Sequence, residues 1–397
     1  MRIPTRAAGG RARGDATSGR RLRRGTAVVA AALVLCGGLA APALAASATP
    51  HAATRSLAQR RFDAMTPAER VGQLLMVGCP STTTSRACVT AIRSQHVGSV
   101  ILDGNSTLSI AGEHRITAAL QHAAPASTKL LIATDQEGGE VRRLRGPGFT
   151  DYSTALVQGT WTTKDLQHWA TTWGDQLHRA GIGLDLAPVL DTVRAGNTHN
   201  PPIGAFDREY GHTPSVVATK GVAVLRGLTA GGVSTAVKHF PGLGRVTGNT
   251  DTTAHVTDRT TTTHDAYLKP FAAAISAKTA FVMMSSAVYT RIDAKRPAAF
   301  SKAAVTGLLR KQLGFRGIVI SDDLGQAEQV ASVSVGQRAV RFIAAGGDLV
   351  LTVQVGQAKT MEAAVLAKMR TSPAFTRQVD AAALLVLQQK QRQGLLH

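Results

Sequence analysis

Aromatic residues are scarce in this 397-residue chain, at 4% of positions, and no stripe of Lys and Arg is interleaved with them. A surface that stacks nucleobases is thereby excluded, and nucleic acid is not an expected partner. Two nucleotide-binding loops are also missing. No G-x-x-x-x-G-K-[ST] stretch occurs and no G-x-G-x-x-G follows the first strand-like segment, so neither phosphate cradle is present. The His residues do not fall at metal-ligand spacing, and the two cysteines beyond residue 45 lie apart from any His pair. No metal and no cofactor are expected.

Acids are also few, with 25 Asp and Glu against 45 Lys and Arg, for a net charge of +20. Part of that excess sits in residues 1–45, an Arg-rich start with a single acid, Asp15. An apolar segment from Thr26 to about Ala41 follows, and Ala43 and Ala45 fit A-x-A cleavage, so 1–45 reads as an export signal and 46–54 as a polar linker. The apolar run is short for a membrane span and is interrupted by Gly37, Gly38 and Pro42, which excludes stable membrane insertion once the signal is removed. Cys36 raises the question of a lipid anchor, but Leu35 before it is bulkier than such processing sites accept. The expected location is secreted or cell-wall associated. The remaining chain, at about +13, is drawn to polyanions such as an anionic wall polymer, although a solvated basic face accounts for the charge equally simply. Cys79 and Cys88, separated by a turn-rich PSTTTSRA, make a local disulfide plausible in an exported protein. Nothing in the sequence fixes the oligomeric state.

From residue 55 onward the pattern alternates. Helical spacing over 55–70 has a start signal at Thr66 and Pro67. Eight apolar runs of strand length then occur, at 72–77, 97–102, 130–133, 184–190, 233–237, 280–284, 317–320 and 348–352. Longer segments with helical periodicity lie between them, including 164–179, 215–228, 302–313 and 335–345. Strands apolar on both faces belong to parallel sheets covered by crossover helices. Eight such units define a (β/α)8 TIM barrel, a single domain over 55–397, with an additional C-terminal helix over 373–392 packed on its outside. An open doubly wound sheet is the alternative.

In such a barrel, polar residues at the C-terminal ends of strands form the site. Asp135 follows the third run, Asp191 the fourth, Lys238 and His239 the fifth, Ser285 and Ser286 the sixth, and Asp322 and Asp323 the seventh. A lone strand-end Asp is commonly a cap or a turn former, but five strands converging on one face mark a site. Several carboxylates with Lys and Arg and no metal set suit glycoside hydrolysis. Gly138 and Gly139 allow either close approach to a ligand or a tight turn.

The motifs VGQLLMVG, VGSVIL, TDQEGGEVRRL, APVLD, PIGAFDREYG, KHFPGLG and ISDDLG, in this order over roughly residues 60–355, resemble glycoside hydrolase family 3 in its single-domain beta-N-acetylglucosaminidase branch. The resemblance implies retaining hydrolysis of terminal β-linked N-acetylglucosamine, with peptidoglycan fragments as the carbohydrate substrate. It implies Asp322 as nucleophile, with Asp323 as a helix-capping or orienting neighbour, and Asp135, Arg143, Arg208, Lys238 and His239 as the residues holding sugar hydroxyls and the N-acetyl group. A β-glucosidase on the same barrel and a catalytically idle wall-binding protein are the alternatives.

One motif departs from the family. The loop after K-H-F-P-G-x-G there carries an Asp and, thirteen residues after the Lys, a His that serves as general acid/base. Asn249 and Asp251 occupy those two positions here. Asp251, His255 or Asp258 is then left to move the proton, or no group does. A carboxyl serves only if burial or a like charge lifts it from its ordinary range.

Overall fold

The computed structural model describes residues 55–197 and 200–397; the expected export segment and linker lie outside them. Thr66 caps the helix Pro67–Gln73 through a reciprocal pair with Glu69, with Pro67 in the first turn, an arrangement that satisfies two otherwise orphaned N–H groups. A separate helix, Leu57–Ala64, precedes it.

Eight parallel strands follow: β1 Leu75–Pro80, β2 Ser99–Asp103, β3 Leu131–Thr134, β4 Leu184–Asp185, β5 Ser234–Phe240, β6 Phe281–Met284, β7 Ile318–Ser321 and β8 Val350–Thr352. From β1 to β7 each strand pairs with its sequence neighbour, and β8 returns to β1 through Leu75 opposite Val350. The seam between β7 and β8 is made by the Ile320–Leu349 bridge and by Ser321 N–H donating to Leu349 C=O at 3.0 Å. The sheet is therefore the expected (β/α)8 barrel.

The continuous apolar runs are explained by two cores. Ile101, Leu131, Phe281, Met283, Ile318 and Ile320 belong to the cluster inside the barrel. Their strand neighbours Val100, Leu102, Ile132, Val282, Met284 and Val319 belong to the cluster shared with the surrounding helices. Side chains alternate across a strand, so a barrel strand needs apolar residues at both parities. The crossover helices Thr163–Arg179, Pro214–Ala230 and Val335–Ala345 lie where the periodicity puts them. The segment Ala303–Gln312 is wound as a π-helix.

Three strands differ most from expectation, and the helix expected over 55–70 is two helices. Gly72 and Gln73 belong to the preceding helix, so β1 starts at Leu75. β4 regular pairing stops at Asp185; Pro188, three residues on, has no N–H to give a ladder. β5 runs on to Phe240, so Lys238 and His239 are inside the strand and buried.

The C-terminal helix Pro373–Arg392 packs on the outer cluster through Phe375, Val379, Ala382 and Ala383, and its last turns go on to cover one end of the barrel. Val386 joins the barrel-interior cluster. Gln389 donates to Ser234 Oγ at 3.0 Å, Lys390 to Gln73 Oε1 at 2.7 Å and Gln393, just past the helix, to Gly183 C=O at 2.9 Å. These partners stand just before β1, β4 and at the start of β5, so the helix closes the end of the barrel opposite the site. Cys79 and Cys88 are joined in a disulfide, with Cα atoms 6.0 Å apart, tying β1 to the helix Arg86–Ser94. No described helix is long and apolar enough to cross a membrane.

Candidate active site

A cleft of about 550 Å³ opens at the C-terminal ends of the strands. Ile101, Met283 and Leu351 from the barrel interior face it, and Asp135, Arg143, Arg208, Lys238, His239, Asp251 and Asp322 line it together. Of the nine residues given a catalytic or sugar-holding role from the sequence, the structure thus brings seven together, and Asp258 does not line the cleft. His255 is not among them. It has φ 60° on an exposed loop and lines a different cavity.

Lys238 is the hub of one wall. Its ammonium donates to Asp135 Oδ1 at 2.6 Å and lies 2.7 Å from Glu137 Oε1. Arg208 grips the same Glu137 with two parallel bonds, Nε at 2.8 Å and Nη2 at 2.7 Å, and donates through Nη1 to Pro202 C=O. Such a fork fixes the guanidinium plane. Two of its five N–H donors remain without a hydrogen bond among the described residues, and it lines the cleft. Burial alone would push the Glu137 carboxyl up, but Arg208 and Lys238 outweigh it and hold the group well below the ordinary carboxylate range. Burial would likewise pull the Lys238 ammonium down, and Asp135 and Glu137 outweigh that, so it stays cationic.

Glu137 was not singled out from the sequence. It lies two residues past Asp135 in TDQEGG, a stretch that reads as a turn. Gly138 and Gly139, both at positive φ, do turn the small hairpin between Gln136–Gly138 and Val141–Arg142. A side chain on Gly138 would run into Ser153 C=O and Gln158, so the glycine pair serves the turn.

His239 is held by Asp191, which is fully buried. Asp191 Oδ2 lies 2.7 Å from His239 Nδ1, and Oδ1 accepts from the N–H groups of His239 at 3.2 Å and Leu243 at 2.7 Å. This leaves Nε2 as the imidazole nitrogen available to the cleft. The Lys238–His239 peptide is cis, and both side chains line the cleft. The loop beyond them is pinned by Asn200, whose amide donates to Leu243 C=O at 2.7 Å and Val246 C=O at 2.9 Å. Gly244 lets that loop press on the backbone of Thr192, where a Cβ would clash.

Asp322 follows β7 at the cleft floor. Its enclosure raises the carboxyl, and Asp251 raises it further; His239, the Asp323 N–H at 2.9 Å and Lys238 act the other way. The result is a group pushed up to about 6. Neighbouring cations therefore do not keep it in the ordinary range, because desolvation and a like charge win. Asp251 reaches solvent at the rim and is also raised, first by desolvation and then by Asp323 and Asp135, against His239 and Arg208. Asp251 beside Asp322 thus helps that carboxyl retain a proton where a lone carboxyl would have lost it.

The neighbours of this pair are structural. Asp323 accepts from the N–H groups of Gly325, Gln326 and Val353 and so shapes the turn after β7. Asp258 is buried and spends both oxygens on Thr260 and Thr261. Asn249 accepts from Asp251 N–H at 3.0 Å, the local turn expected of Asn. Asp185, fully buried at the end of β4, is pushed up to about 8 by burial, and its Oδ2 has no partner among the described residues.

A strand-end cleft in a parallel barrel, holding two raised carboxyls beside a fixed Lys, Arg and His set and no triad of potential metal ligands among the described residues, is the architecture of a glycoside hydrolase. The sequence profile of the Glycosyl hydrolase family 3 N terminal domain matches residues 66–387, and the chain belongs to that family. A Beta-hexosaminidase of Xylella fastidiosa (strain M23) is 35% identical over 263 residues, 64% of this chain and 75% of the relative. The crystal structure of Beta-N-acetylhexosaminidase from Beutenbergia cavernae DSM 12333 is 48% identical with a TM-score of 0.81, covering 82% of this chain and 99% of that one. A glycoside hydrolase family 3 beta-N-acetylglucosaminidase from Paenibacillus sp. str. FPU-7 is 32% identical with a TM-score of 0.75, covering 84% of this chain and 63% of that one.

Proposed function

We propose that the protein is an exported, retaining exo-β-N-acetylglucosaminidase that removes terminal β-linked N-acetylglucosamine, with peptidoglycan fragments as its substrate class. The observation that carries this reading is the pairing of Asp322 and Asp251 in one cleft with the Lys238, Asp135 and Arg208 network. The names of the relatives give the amino-sugar class. The disulfide supports an oxidising compartment.

In the first step the Asp322 carboxylate attacks the anomeric carbon and forms a glycosyl ester. Asp251, protonated, gives its proton to the departing oxygen as the glycosidic bond breaks. In the second step Asp251, now a carboxylate, takes a proton from water, and the hydroxyl opens the ester and restores Asp322. Asp135 accepts from sugar hydroxyls, while Lys238, Arg208, Arg143 and His239 donate to hydroxyls and to the N-acetyl carbonyl. His255, in another cavity, takes no part.

Purified protein assayed on chromogenic β-N-acetylglucosaminide and β-glucoside in parallel, with Asp322→Ala alongside, tests the proposal. Cleavage of the first substrate, abolished in the variant, is expected. Preference for the glucoside would make it a β-glucosidase. Cleavage of neither, with wall fragments still bound, would make it an idle binder.

A further inference from the structure

Beside the catalytic cleft lies a larger one, of about 1220 Å³, that the hydrolytic reading does not use. Arg259, Lys295, Arg296, Lys302 and Arg341 line it, against Asp293 and Glu328 as the only acids. Asp293 is already occupied. It accepts from Ser301 Oγ at 2.8 Å and from Lys295 N–H at 3.0 Å, and pairs with Arg296 at 3.4 Å. Among the described residues the other four cations make no ion pair, and all are exposed. Four unpaired positive side chains around one concavity focus field and hold an anion more strongly than the same charges spread over a surface.

We propose that this cleft is a second binding site, for a glycan that bears carboxylate or phosphate groups. The hydroxyls of Thr257, Thr290 and Ser332 and the Glu328 carboxylate stand among the cations, offering hydroxyl partners that a bare anion would not need. The only Phe, Tyr or Trp in the lining is Phe300, which is buried within the core, and the one exposed ring is the His255 imidazole, so the cleft has no row of rings on which successive bases could stack. That observation favours an anionic glycan over nucleic acid.

The wall between the two clefts is shared. Glu328 N–H donates to Asp251 C=O and Gln329 N–H to Thr250 C=O, both at 3.1 Å. The Gln329 side chain holds Val256 from both sides, accepting from its N–H at 2.7 Å and donating to its C=O at 3.3 Å. The segment that presents Asp251 on one side therefore presents Ala254, His255 and Thr257 on the other. A wall polymer seated in the second cleft would keep the enzyme beside its substrate. The binding site itself stands whether or not the hydrolytic reading holds.

The full chain is titrated calorimetrically with polygalacturonate, with inorganic polyphosphate and with a single-stranded oligonucleotide. The same titrations use a variant carrying Arg259→Gln, Lys295→Gln, Lys302→Gln and Arg341→Gln. A charge-matched control carries Arg93→Gln, Arg115→Gln, Lys368→Gln and Arg370→Gln, all exposed elsewhere. The expected result is saturable binding of a polyanion that weakens at least about tenfold in the cleft variant, weakens with added salt, and survives in the control. The better of polygalacturonate and polyphosphate tells carboxylate from phosphate. Equal losses in both variants would reduce the effect to overall charge, unchanged binding in the cleft variant would remove the site, and tightest binding to the oligonucleotide would replace the glycan with nucleic acid; each overturns the proposal.

Discussion

Replacing Glu137 by Gln keeps the shape of the side chain and removes the charge that Lys238 and Arg208 share. Glu137 is buried, with Lys238 at 2.7 Å and a two-bond fork from Arg208. Taking one partner from a buried ion cluster costs about 3–5 kcal/mol, because the remaining charges stay desolvated. Here Asp135 still faces Lys238 at 2.6 Å, so the lower end, about 3 kcal/mol, is expected. With an unfolding entropy of about 2 cal/mol/K per residue over a folded unit of about 340 residues, that corresponds to a fall in Tm of about 4 °C. The Glu137 carboxyl is held below its unfolded value, so its contribution is complete above the unfolded pKa and is lost as pH falls towards the folded one. Thermal unfolding of both proteins at pH 7 and at about pH 3 is the assay: the difference should be full at pH 7 and shrink in acid. Equal Tm values at pH 7, or a difference that grows in acid, would refute the ion-cluster reasoning.

In the proposed mechanism the Asp322 and Asp251 pair acts with one proton between them. For an alkyl glycoside, kcat/KM should therefore fall above about pH 6, where Asp322 stands, as the last proton leaves, and fall again in acid as both groups become protonated; a flat profile from pH 6 to 8 contradicts this. Asp251→Ala should slow a substrate with a poor leaving group at least tenfold more than an aryl glycoside with a good one, with His255→Ala showing no such differential; the reverse pattern would move the proton-transfer role to His255. Asp191→Asn removes the acceptor that holds His239 Nδ1 and should lower kcat/KM about ten- to a hundredfold, an effect that steady-state kinetics would contradict by showing wild-type values.

Much of the barrel was legible because each strand must be apolar at both parities, as Val100, Ile101 and Leu102 are, and because Asp135, Lys238, His239 and Asp322 follow or end such runs. What was not legible depends on contacts distant in sequence. Glu137 reads as a turn residue until Arg208, 71 positions away, is folded onto it. Asp191 reads as a strand-end cap until His239 arrives beside it. The sequence pattern places the C-terminal helix on the outer wall, and only the hydrogen bonds of Gln389, Lys390 and Gln393 show its last turns crossing the barrel end. His255 carries suitable chemistry at a suitable spacing, and the backbone turn at φ 60° directs the loop so that it lines the other cleft. Periodicity reports which face a residue occupies, and pairing reports what it does there.

The central claim is that Asp322 becomes covalently bonded to the sugar. Wild-type protein incubated with a fluorinated N-acetylglucosaminide carrying a good leaving group, in which opening of the ester is slowed more than its formation, should gain the mass of one sugar residue. Digestion should place that mass on the peptide containing Asp322, and Asp322→Asn should remain unlabelled. Turnover of the unfluorinated substrate with no covalent adduct trapped, or an adduct on another residue, would contradict the account.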